Sequence, residues 1–211
     1  MDVSVIVATY GDMEWERLAI ERAAPSVCGQ DAEIILAHYP EGTRATSLNY
    51  GAEGATAEWL LFLDADDEFA PGYLEAMRRA LEQHPTDGNR QVLFTPAVQQ
   101  IRKGRPGQPV FFDRGISLRD DNWLVIGTMI HRDLFWKVGG FPDYPHGFED
   151  FALWSKCYRM GAEIVKVPDA VYRYFWNPQS AHKRGWRDRR WQVETHQRVA
   201  RELDEWEAAN A

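Results

Sequence analysis

Short apolar runs alternate with segments of helical spacing at the start of the chain. Val3 to Thr9 is β-branched or apolar at nearly every position, which is typical of a strand that is covered on both faces. Met13 to Ala24 follows with apolar positions at helical spacing until Pro25 interrupts it, and Ala32 to His38 is a second apolar run. This pattern predicts a β-α-β unit.

The same alternation continues into the middle of the chain. Ala45 to Ala55 has helical spacing, and Trp59 to Leu63 is an apolar run that predicts a third buried strand. Pro71 stands where a further helix would begin, and Gln91 to Ile101 is another strand candidate. Strands that alternate with helices favour an α/β domain built on a largely parallel central sheet.

The pattern is looser in the second half of the chain. Arg102 to Pro109 is rich in glycine, proline and basic residues, which indicates the tip of a hairpin or a mobile loop. Further elements are predicted beyond it: strands at Trp123–Ile130 and Ala162–Pro168, and helices within His131–Phe141, at Glu149–Met160 and at Arg187–Ala209. We therefore expect one domain over residues 1–185, with a helical tail over residues 186–211 that packs on it or caps it.

Four acidic residues follow the third predicted strand directly, in the segment LLFLDADDEF. They are Asp64, Asp66, Asp67 and Glu68. In α/β sheets the carboxyl ends of parallel strands face the ligand crevice, and Mg²⁺ or Mn²⁺ is commonly held by one or two carboxylates together with phosphate oxygens. The spacing predicts a site for a metal and a diphosphate. The alternative is that these carboxylates only solvate a turn and favour the start of the next helix.

Composition and charge narrow the choice of function. The 211 residues are 45% hydrophobic, which is enough for one sizeable core, and the formal net charge of −8 disfavours nonspecific binding to a polyanion. Cys28 and Cys157 are too few for a disulfide framework and lack metal-ligand spacing. Since neither a signal peptide nor a membrane-spanning apolar run is visible, we expect a cytoplasmic protein with reduced thiols and no transmembrane segment.

The order of these motifs resembles family 2 glycosyltransferases of the GT-A fold. The resemblance runs from about Val3 to about His182, and its most specific parts are LNYGAEGATAEWLLFLDADD and FEDFALW. It implies a single GT-A-type domain with a Rossmann-like sheet flanked by helices, and an inverting, metal-dependent transfer of a sugar, such as a hexose, to an acceptor hydroxyl. The implied cofactor is Mn²⁺ or Mg²⁺. The implied partner is a nucleotide sugar, with a UDP-sugar favoured over a GDP- or dTDP-sugar.

The resemblance also implies roles for individual residues. The implied nucleotide-binding set contains Thr9, Tyr10, Tyr39, Arg44, Asn49, Asp64 and Ala65, and Gly51 matches a glycine that the family has in the helix before the acidic segment. Asp64 would contact the ribose or support the metal as a second ligand. Asp66 is the implied direct metal ligand, with Asp67 as a further candidate, and His182 would approach the metal or the diphosphate.

A second acidic motif, Glu149 and Asp150, matches the catalytic pair of the family, and the resemblance makes Asp150 the general base. A metal ion stabilises the charge that develops on a departing nucleotide diphosphate, while the acceptor hydroxyl must lose a proton to a nearby carboxylate. Attack from the face opposite the leaving group predicts inversion. The alternative for this pair is that it only complements the dipole of the helix that it begins.

One segment departs from the family pattern. The family usually carries an Asp-Asp-Gly-Ser run after the second strand, whose first acid reads the base of the nucleotide, whereas this chain has AHYPEGT. His38 or Tyr39 would take that place, with Tyr39 stacking on the base or His38 hydrogen-bonding to it. The identity of the donor nucleotide and its sugar therefore stays open.

Two other functions stay open as well. A phosphohydrolase of the haloacid dehalogenase type would use Asp64 and Asp66, with Asp64 as the nucleophile, although that class places the motif on its opening strand. A catalytically silent module would bind a glycan or a nucleotide through a decayed donor site. Activity on simple phosphomonoesters, or the lack of any metal-linked nucleotide affinity, would distinguish these two classes from a transferase.

The acceptor is not specified by the sequence. It can be a glycan, a protein, a lipid-linked sugar or a modified nucleic acid, and we expect variable loops such as Arg102–Trp123 to form its site. The basic segment His182–Trp191 would close over the diphosphate, contact a phosphate-bearing acceptor or simply solvate the start of the last helix. The oligomeric state is open too.

Overall fold

The computed structural model describes residues 2–84, 91–113, 115–144, 147–176 and 189–210 of the chain. Its strands are β1 (Val3–Tyr10), β2 (Glu33–Tyr39), β3 (Trp59–Phe62), β4 (Glu68–Phe69), β5 (Val92–Arg102), β6 (Arg105–Pro106), β7 (Met129–His131) and β8 (Glu163–Phe175). Its helices are α1 (Met13–Leu18), a π-helical turn (Ala19–Ala23), α2 (Ala24–Val27), α3 (Arg44–Glu53), α4 (Tyr73–Gln83), α5 (Arg132–Lys137), α6 (Glu149–Arg159) and α7 (Arg189–Asn210).

One mixed sheet organises the fold. Its strand order is β2-β1-β3-β7-β5-β8-β4, with β6 paired to β5. β1 pairs parallel with β2 and β3, and β5 pairs parallel with β8, whereas the short β7 pairs antiparallel with β3 and β5. The parallel pairs have the longest registers, so the predicted α/β fold with a largely parallel sheet is confirmed. The direction of β7 could not be predicted, because an apolar run does not encode the direction of a strand.

The helix after β1 does not stop at Pro25, contrary to the prediction. The π-helical turn over Ala19–Ala23 is followed directly by α2, and Pro25 lies in the first turn of α2. The amide of Ala24 donates to the carbonyl of Ala19, which is the wider hydrogen bond of a π-turn. The wider π-turn changes the hydrogen bonding directly before Pro25, and the helical path continues to Val27.

Helix α3 lies directly against β1 and β2 because Gly51 places no side chain between them. A Cβ atom at Gly51 would come within 2.5 Å of Ile6 Cγ2 and 3.3 Å of Ala37 Cβ. Gly51, which matches a glycine of the family in this helix, therefore has a packing role in this structure. It sets the distance between the sheet and α3, and with it the position of Arg44, the first residue of that helix.

The strand predicted at Trp123–Ile130 is wrong for most of its length. Regular strand structure in this region is confined to β7, which begins at Met129. The residues before it are irregular, although Leu124 and Ile126 are buried. An irregular segment that buries alternate side chains has the same apolar pattern as a strand, so the pattern alone could not separate the two.

Strand β8 is longer than the predicted run Ala162–Pro168 and continues to Phe175. Its second half pairs with β5 on one side and with β4 on the other, where Glu68 lies opposite Arg173. β4 was not predicted because its two residues lie within the acidic segment. The end of β8 therefore runs beside the acidic segment that follows β3.

The hairpin predicted at Arg102–Pro109 is present. β5 and β6 pair antiparallel with Arg102 opposite Arg105, and Lys103 and Gly104 between them both have a positive φ. Two central residues with positive φ are typical of a type I′ turn, which glycine favours.

The C-terminal helix α7 packs against α6. Val199 and Leu203 of α7 form a buried cluster with Phe151 and Ala152 of α6. A helical tail is thus present, while the predicted domain limit at residue 185 lies outside the described residues. Within the described ranges no helix combines the length and the apolar character needed to cross a bilayer.

Candidate active site

The acidic segment after β3 forms a turn at the carboxyl end of β3, beside β1, which continues past this point to Tyr10. The amide of Leu63 still donates to the carbonyl of Ile6, at 2.9 Å, and the amide of Asp67 donates to the carbonyl of Asp64, at 3.1 Å. We call residues 64–67 the acid turn. The side chain of Asp64 is 31% exposed, Asp66 is half-buried and Ala65 is buried.

Asp67 differs from the other acids of this turn, because it is only 1% exposed. Its Oδ2 accepts a hydrogen bond from the Tyr172 hydroxyl at 2.8 Å, and its Oδ1 accepts one from the amide of Phe175 at 2.7 Å. Burial, with the charges of Asp64 and Asp66, raises the pKa of Asp67 well above its ordinary value. Both carboxylate oxygens are thus engaged by β8, and this geometry does not favour Asp67 as a metal ligand.

Arg44 joins the acid turn to α6. Its Nη2 donates to the two carboxylate oxygens of Asp64, at 2.9 and 3.1 Å, and its Nη1 donates to Oε1 of Glu149. Burial alone would lower the pKa of Arg44, but the surrounding carboxylates, Asp64 foremost, hold that pKa well above its ordinary value. Arg44 is therefore a permanent positive charge between two acidic motifs that are far apart in the sequence.

The position of Arg44 follows from the way in which α3 begins. The Oγ1 of Thr43 accepts a hydrogen bond from the amide of Thr46 at 3.2 Å, and the amide of Thr43 donates to the Oγ1 of Thr46 at 2.7 Å. This reciprocal pair is a capping box, here built from two threonines. The cap fixes the start of the helix, and hence the backbone of Arg44.

Helix α6 begins with the acidic pair that the sequence singles out. Glu149 is 5% exposed, and Asp150 is half-buried, with its Oδ2 accepting a hydrogen bond from Nδ2 of Asn122 at 3.3 Å. Burial and the charge of Glu149 raise the pKa of Asp150 to about 6, against the lowering effect of Arg44. A carboxyl group with this pKa is mostly ionised at neutral pH and is a stronger base than an ordinary aspartate.

The residue before this pair has an unusual backbone. Phe148, which precedes the first turn of α6, has φ 69° and ψ 12°, a left-handed conformation that is rare for a bulky residue. Such conformations persist only where the surroundings hold them, and they cluster at functional sites. His196 of α7 provides part of this support, since its ring centroid lies 5.9 Å from that of Phe148 and 5.1 Å from that of Phe151.

A second part of the predicted site lies at the ends of β1 and β2. The Oγ1 of Thr9 lies 2.9 Å from the Nδ1 of His38, and Thr9 is buried. Tyr10 is 36% exposed, and Tyr39 is 44% exposed, with its ring centroid 5.8 Å from that of Tyr50. Exposed aromatic rings of this kind can stack on a flat ligand such as a base.

An open cavity of ≈ 500 Å³ lies beside β2 and α3, and it is lined by His38, Tyr39, Thr46, Asn49, Tyr50 and Glu53. The amide group of Asn49 is already engaged in this structure. Its Nδ2 donates to the carbonyl of Phe141 at 2.8 Å, and its Oδ1 accepts from the amide of Phe141 at 3.0 Å. Asn49 therefore fixes the segment after α5, and a nucleotide could reach this amide only if those two bonds opened.

The structure brings only part of the predicted site together. The charged residues meet in one cluster that is built from three separate elements: Arg44, Asp64, Glu149 and Asp150. The remaining strand-end residues of the predicted nucleotide pocket lie at the ends of β1 and β2: Thr9, Tyr10 and Tyr39. His182 lies outside the described residues.

Oxygen ligands for a divalent cation are present in the acid turn. Across the parts of the chain that the structure describes, no group of three or more His, Cys, Asp or Glu side chains is arranged to hold a metal ion. A Mg²⁺ ion that is shared with substrate phosphates usually takes only one or two carboxylates from the protein. Asp66 has the chemistry that such a shared ion needs. Asp64, with one residue between the two, has the same chemistry, but both of its oxygens accept hydrogen bonds from Arg44, so it could join the ion only if that pair opened.

Two contacts of this site could not be found from the sequence. Asn122 bonds to Asp150, which lies 28 residues further along the chain, and Tyr172 bonds to Asp67 across 105 residues. Asn122 precedes a segment predicted as a strand, and Tyr172 lies beyond the predicted end of the last strand. No local pattern marks either residue, because each acquires its partner only when the sheet has formed.

Comparisons with known proteins agree with this architecture. The model of the family described as "Glycosyl transferase family 2" matches residues 19–153. A protein of Haemophilus influenzae described as an uncharacterized glycosyltransferase is 31% identical over 117 residues, which cover 51% of this chain and 38% of that protein.

Solved structures of S. aureus TarS have a similar fold. TarS 1–349 in complex with UDP-GlcNAc has a TM-score of 0.65 at 18% identity, over 86% of this chain and 60% of that chain. TarS 1–349 by itself has a TM-score of 0.62 at 17% identity, over 83% of this chain and 60% of that chain. This chain thus spans less than two thirds of the length of the relatives that it matches. The family model covers well over half of the chain, and the chain belongs to glycosyl transferase family 2.

Proposed function

We propose that this protein is an inverting, metal-dependent glycosyltransferase that moves a sugar from a nucleotide-diphosphate donor to an acceptor hydroxyl. The observation that carries this proposal is the double contact of Arg44, with Asp64 of the acid turn and with Glu149 of the acidic pair. This contact joins the two acidic motifs, which supports a donor site and an acceptor site that lie side by side. Family membership supports the same class of reaction.

On the donor side, Asp66 and Asp64 would hold Mn²⁺ or Mg²⁺ through their carboxylate oxygens. When bound, the ion supplies Lewis-acid stabilisation of the charge that develops on the leaving diphosphate. Arg44 contributes a second positive charge at the same place, since it contacts Asp64 directly. That charge is permanent, because a guanidinium does not deprotonate in proteins.

On the acceptor side, Asp150 would take the proton of the attacking hydroxyl. Its raised pKa of about 6 makes it a stronger base than an ordinary aspartate, yet leaves it mostly ionised at neutral pH. Glu149 stays paired with Arg44, and its charge helps to raise the pKa of Asp150. A single displacement, with the base and the leaving group on opposite faces of the sugar, inverts the anomeric carbon.

The nucleotide base would lie at the ends of β1 and β2, beside Thr9, Tyr10 and Tyr39. A UDP-sugar is the favoured donor, and the structures of TarS with UDP-GlcNAc and with UDP support that choice for a protein of this fold. GDP- and dTDP-sugars remain alternatives, because Tyr39 and His38 replace the carboxylate that reads the base in most of the family. His182 near the diphosphate stays a prediction from the resemblance.

A thermal-shift screen of nucleotide sugars with Mn²⁺ would identify the donor, since a ligand that binds only the native state raises the unfolding temperature. We expect one nucleotide sugar to raise the unfolding temperature, and to do so only when Mn²⁺ is present. We also expect slow hydrolysis of that nucleotide sugar. Asp66→Ala should lose both effects. Release of phosphate from simple phosphomonoesters would instead identify a phosphohydrolase. Binding of a glycan without any metal-linked nucleotide affinity would identify a silent module.

A further inference from the structure

Two side chains that are not part of the predicted site form hydrogen bonds with residues of the acid turn. Tyr172 comes from β8, and Arg22 comes from the π-helical turn of the first helix. We propose that Arg22 and Tyr172 are positioning residues of this turn, which hold its backbone in the arrangement that binding of a metal and a diphosphate requires. The inference rests on the proposed function, because it assigns to these residues a role that acts through the acid turn.

Tyr172 contacts both ends of the acid turn through one hydroxyl group. The hydroxyl donates to Oδ2 of Asp67 at 2.8 Å and accepts from the amide of Asp64 at 3.4 Å. The ring is 2% exposed and packs closely on Gly127, where an added Cβ atom would lie 2.4 Å from its Cδ2. A fixed ring therefore carries a hydroxyl that spans the turn from its first residue to its last.

Arg22 holds the middle of the same turn. Its Nη1 donates to the carbonyl oxygen of Asp66 at 2.9 Å, and its guanidinium carbon lies 4.5 Å from the centroid of the Phe175 ring. The amide of Phe175 in turn donates to Asp67. Arg22, Phe175 and Asp67 thus form a closed set of contacts around the acid turn.

The place of Arg22 in its helix is unusual. It lies in a π-helical turn, a form that is rare and often found at functional sites. Arg17, one turn earlier, is exposed and pairs with Glu14 and Glu21 of its own helix. The two arginines on one helix therefore have different partners, and Arg17 is a natural control for Arg22.

The acid turn needs such support because it brings three carboxylates together within four residues. Like charges at short range repel one another, and the carbonyl of Asp66 lies past the end of β3, where the strand ladder no longer supplies a partner. Partners that orient metal-binding carboxylates typically change metal affinity or activity by about 10- to 100-fold when they are removed. Arg22 and Tyr172 contact the backbone of the turn and Asp67, so their loss should weaken donor and metal binding more than the proton transfer at Asp150.

The test compares Tyr172→Phe and Arg22→Met with two matched controls in the full chain. Tyr73→Phe is the control for the first, because the Tyr73 hydroxyl is also buried but donates to the carbonyl of Gly127, at 2.6 Å. Arg17→Met is the control for the second. Arg22→Lys keeps a donor near Asp66 and should recover part of what Arg22→Met loses.

The first measurement is amide hydrogen exchange without any ligand. We expect faster exchange at the amides of Asp64, Asp67 and Phe175 in Tyr172→Phe and Arg22→Met, and no change there in the controls. The second is the dissociation constant of UDP with Mn²⁺, which we expect to rise about tenfold in both variants and to stay unchanged in the controls. The pH dependence of turnover should be the same in all of these proteins.

Each outcome decides between the two proposals. If amide exchange in the acid turn of Tyr172→Phe and Arg22→Met matches that of the controls, the positioning role is overturned and the proposed function stands. The same conclusion follows if exchange rises in these variants while the dissociation constant of UDP with Mn²⁺ stays at the wild-type value. If the wild-type protein binds no nucleotide with Mn²⁺, the proposed function fails, and the positioning role fails with it. A shifted pH profile in Tyr172→Phe would also overturn the positioning role, since it would indicate an effect on the base.

Discussion

The two halves of the candidate site are held in different ways. The charged half consists of Arg44, Asp64, Glu149 and Asp150, and the aromatic half consists of Tyr10, Tyr39 and Tyr50. In the charged half, partly buried groups from three elements are joined by ion pairs and hydrogen bonds. In the aromatic half, the rings are exposed, and a ring-to-ring contact joins two of them.

This difference has an energetic consequence. Removing one partner of a buried ion pair leaves an uncompensated charge and is costly, whereas an exposed aromatic contact contributes little to stability and can rearrange around a ligand. The departure from the family pattern, AHYPEGT, falls in the aromatic half. We infer that the charged half carries the reaction and that the aromatic half selects the nucleotide.

The largest effect is expected for Asp150→Asn, which removes the base and keeps the shape of the side chain. Turnover should fall by about 10²- to 10⁴-fold, the usual contribution of a general base. In the wild type, kcat/KM should rise with pH and level off above about 6, where Asp150 loses its proton. Rates of sugar transfer measured between pH 5 and 8, about one unit below and two above this pKa, test both points.

Asp169→Asn is the control for that prediction, because the Asp169 side chain is 78% exposed and pairs with Arg79, outside the candidate site. It should transfer sugar at the wild-type rate at every pH. If Asp150→Asn keeps more than about a tenth of the wild-type rate, when loss of a general base usually costs about 100-fold or more, the charged half does not contain the base.

The next largest effect is expected for Arg44→Met. Glu149 is 5% exposed and would lose its counter-charge. We therefore expect the free energy of unfolding to fall by about 2–3 kcal/mol. This loss is smaller than for a fully buried pair, because Arg44 is 28% exposed. The pKa of Asp150 should rise further, since Arg44 lowers it in the wild type. Urea unfolding curves give the first quantity, and the pH profile of transfer gives the second.

Arg17→Met provides the comparison for Arg44→Met, because Arg17 pairs with two exposed glutamates. Exposed pairs contribute about 0.2–1 kcal/mol, so its unfolding curve should change little. If both variants lose the same free energy of unfolding, the ion pairs of the charged half contribute no more to stability than exposed ion pairs do.

A smaller effect is expected for Gly51→Ala, which tests the support of the charged half rather than its charges. The added methyl group would lie 2.5 Å from Ile6 Cγ2, and overpacking of this kind usually costs about 1–3 kcal/mol. Urea unfolding should show a loss of about 2 kcal/mol. Gly54→Ala, where the nearest atom would be 3.5 Å away, should be close to neutral, and a similar loss there would argue against close packing at Gly51.

The smallest effect is expected for Tyr39→Ala, in the aromatic half. Its ring is exposed, so stability should hardly change, while the affinity for UDP should fall about fivefold because one stacking surface is lost. Calorimetric titration of UDP, GDP and dTDP would also show whether the order of preference changes. Unaltered affinity for all three nucleotides would place the base elsewhere.

The sequence predicted the parts of the fold that depend on local patterns. Val3–Thr9 and Trp59–Leu63 are continuous apolar runs, and both form buried strands close to their predicted bounds. The two acidic motifs could be recognised as candidate sites from local patterns too. One directly follows the third predicted strand, and the other, at Glu149, begins a predicted helix. The resemblance assigned Arg44 only to the nucleotide-binding set, and the contacts by which Arg44 joins the two acidic motifs are seen in the structure alone.

Other features depend on contacts between distant segments, and the sequence could not show them. The inward position of Asp67 depends on Tyr172 and Phe175, and the hold on the carbonyl of Asp66 depends on Arg22. An aspartate in a run of acids looks the same in the sequence whether it faces a cation or a buried hydroxyl. The chain direction of β7 and the irregular segment before it were missed because apolar spacing reports burial, not topology.

The most direct test of the account is a calorimetric titration of UDP into the wild type and into Asp66→Asn, each with and without Mn²⁺. The account predicts that Mn²⁺ tightens UDP binding by about tenfold or more in the wild type, at least the effect that partners of metal ligands typically have on metal affinity. It also predicts that Asp66→Asn loses this gain while its metal-free affinity is unchanged. Equal affinity for UDP with and without Mn²⁺ in the wild type, or a full gain in Asp66→Asn, would contradict it.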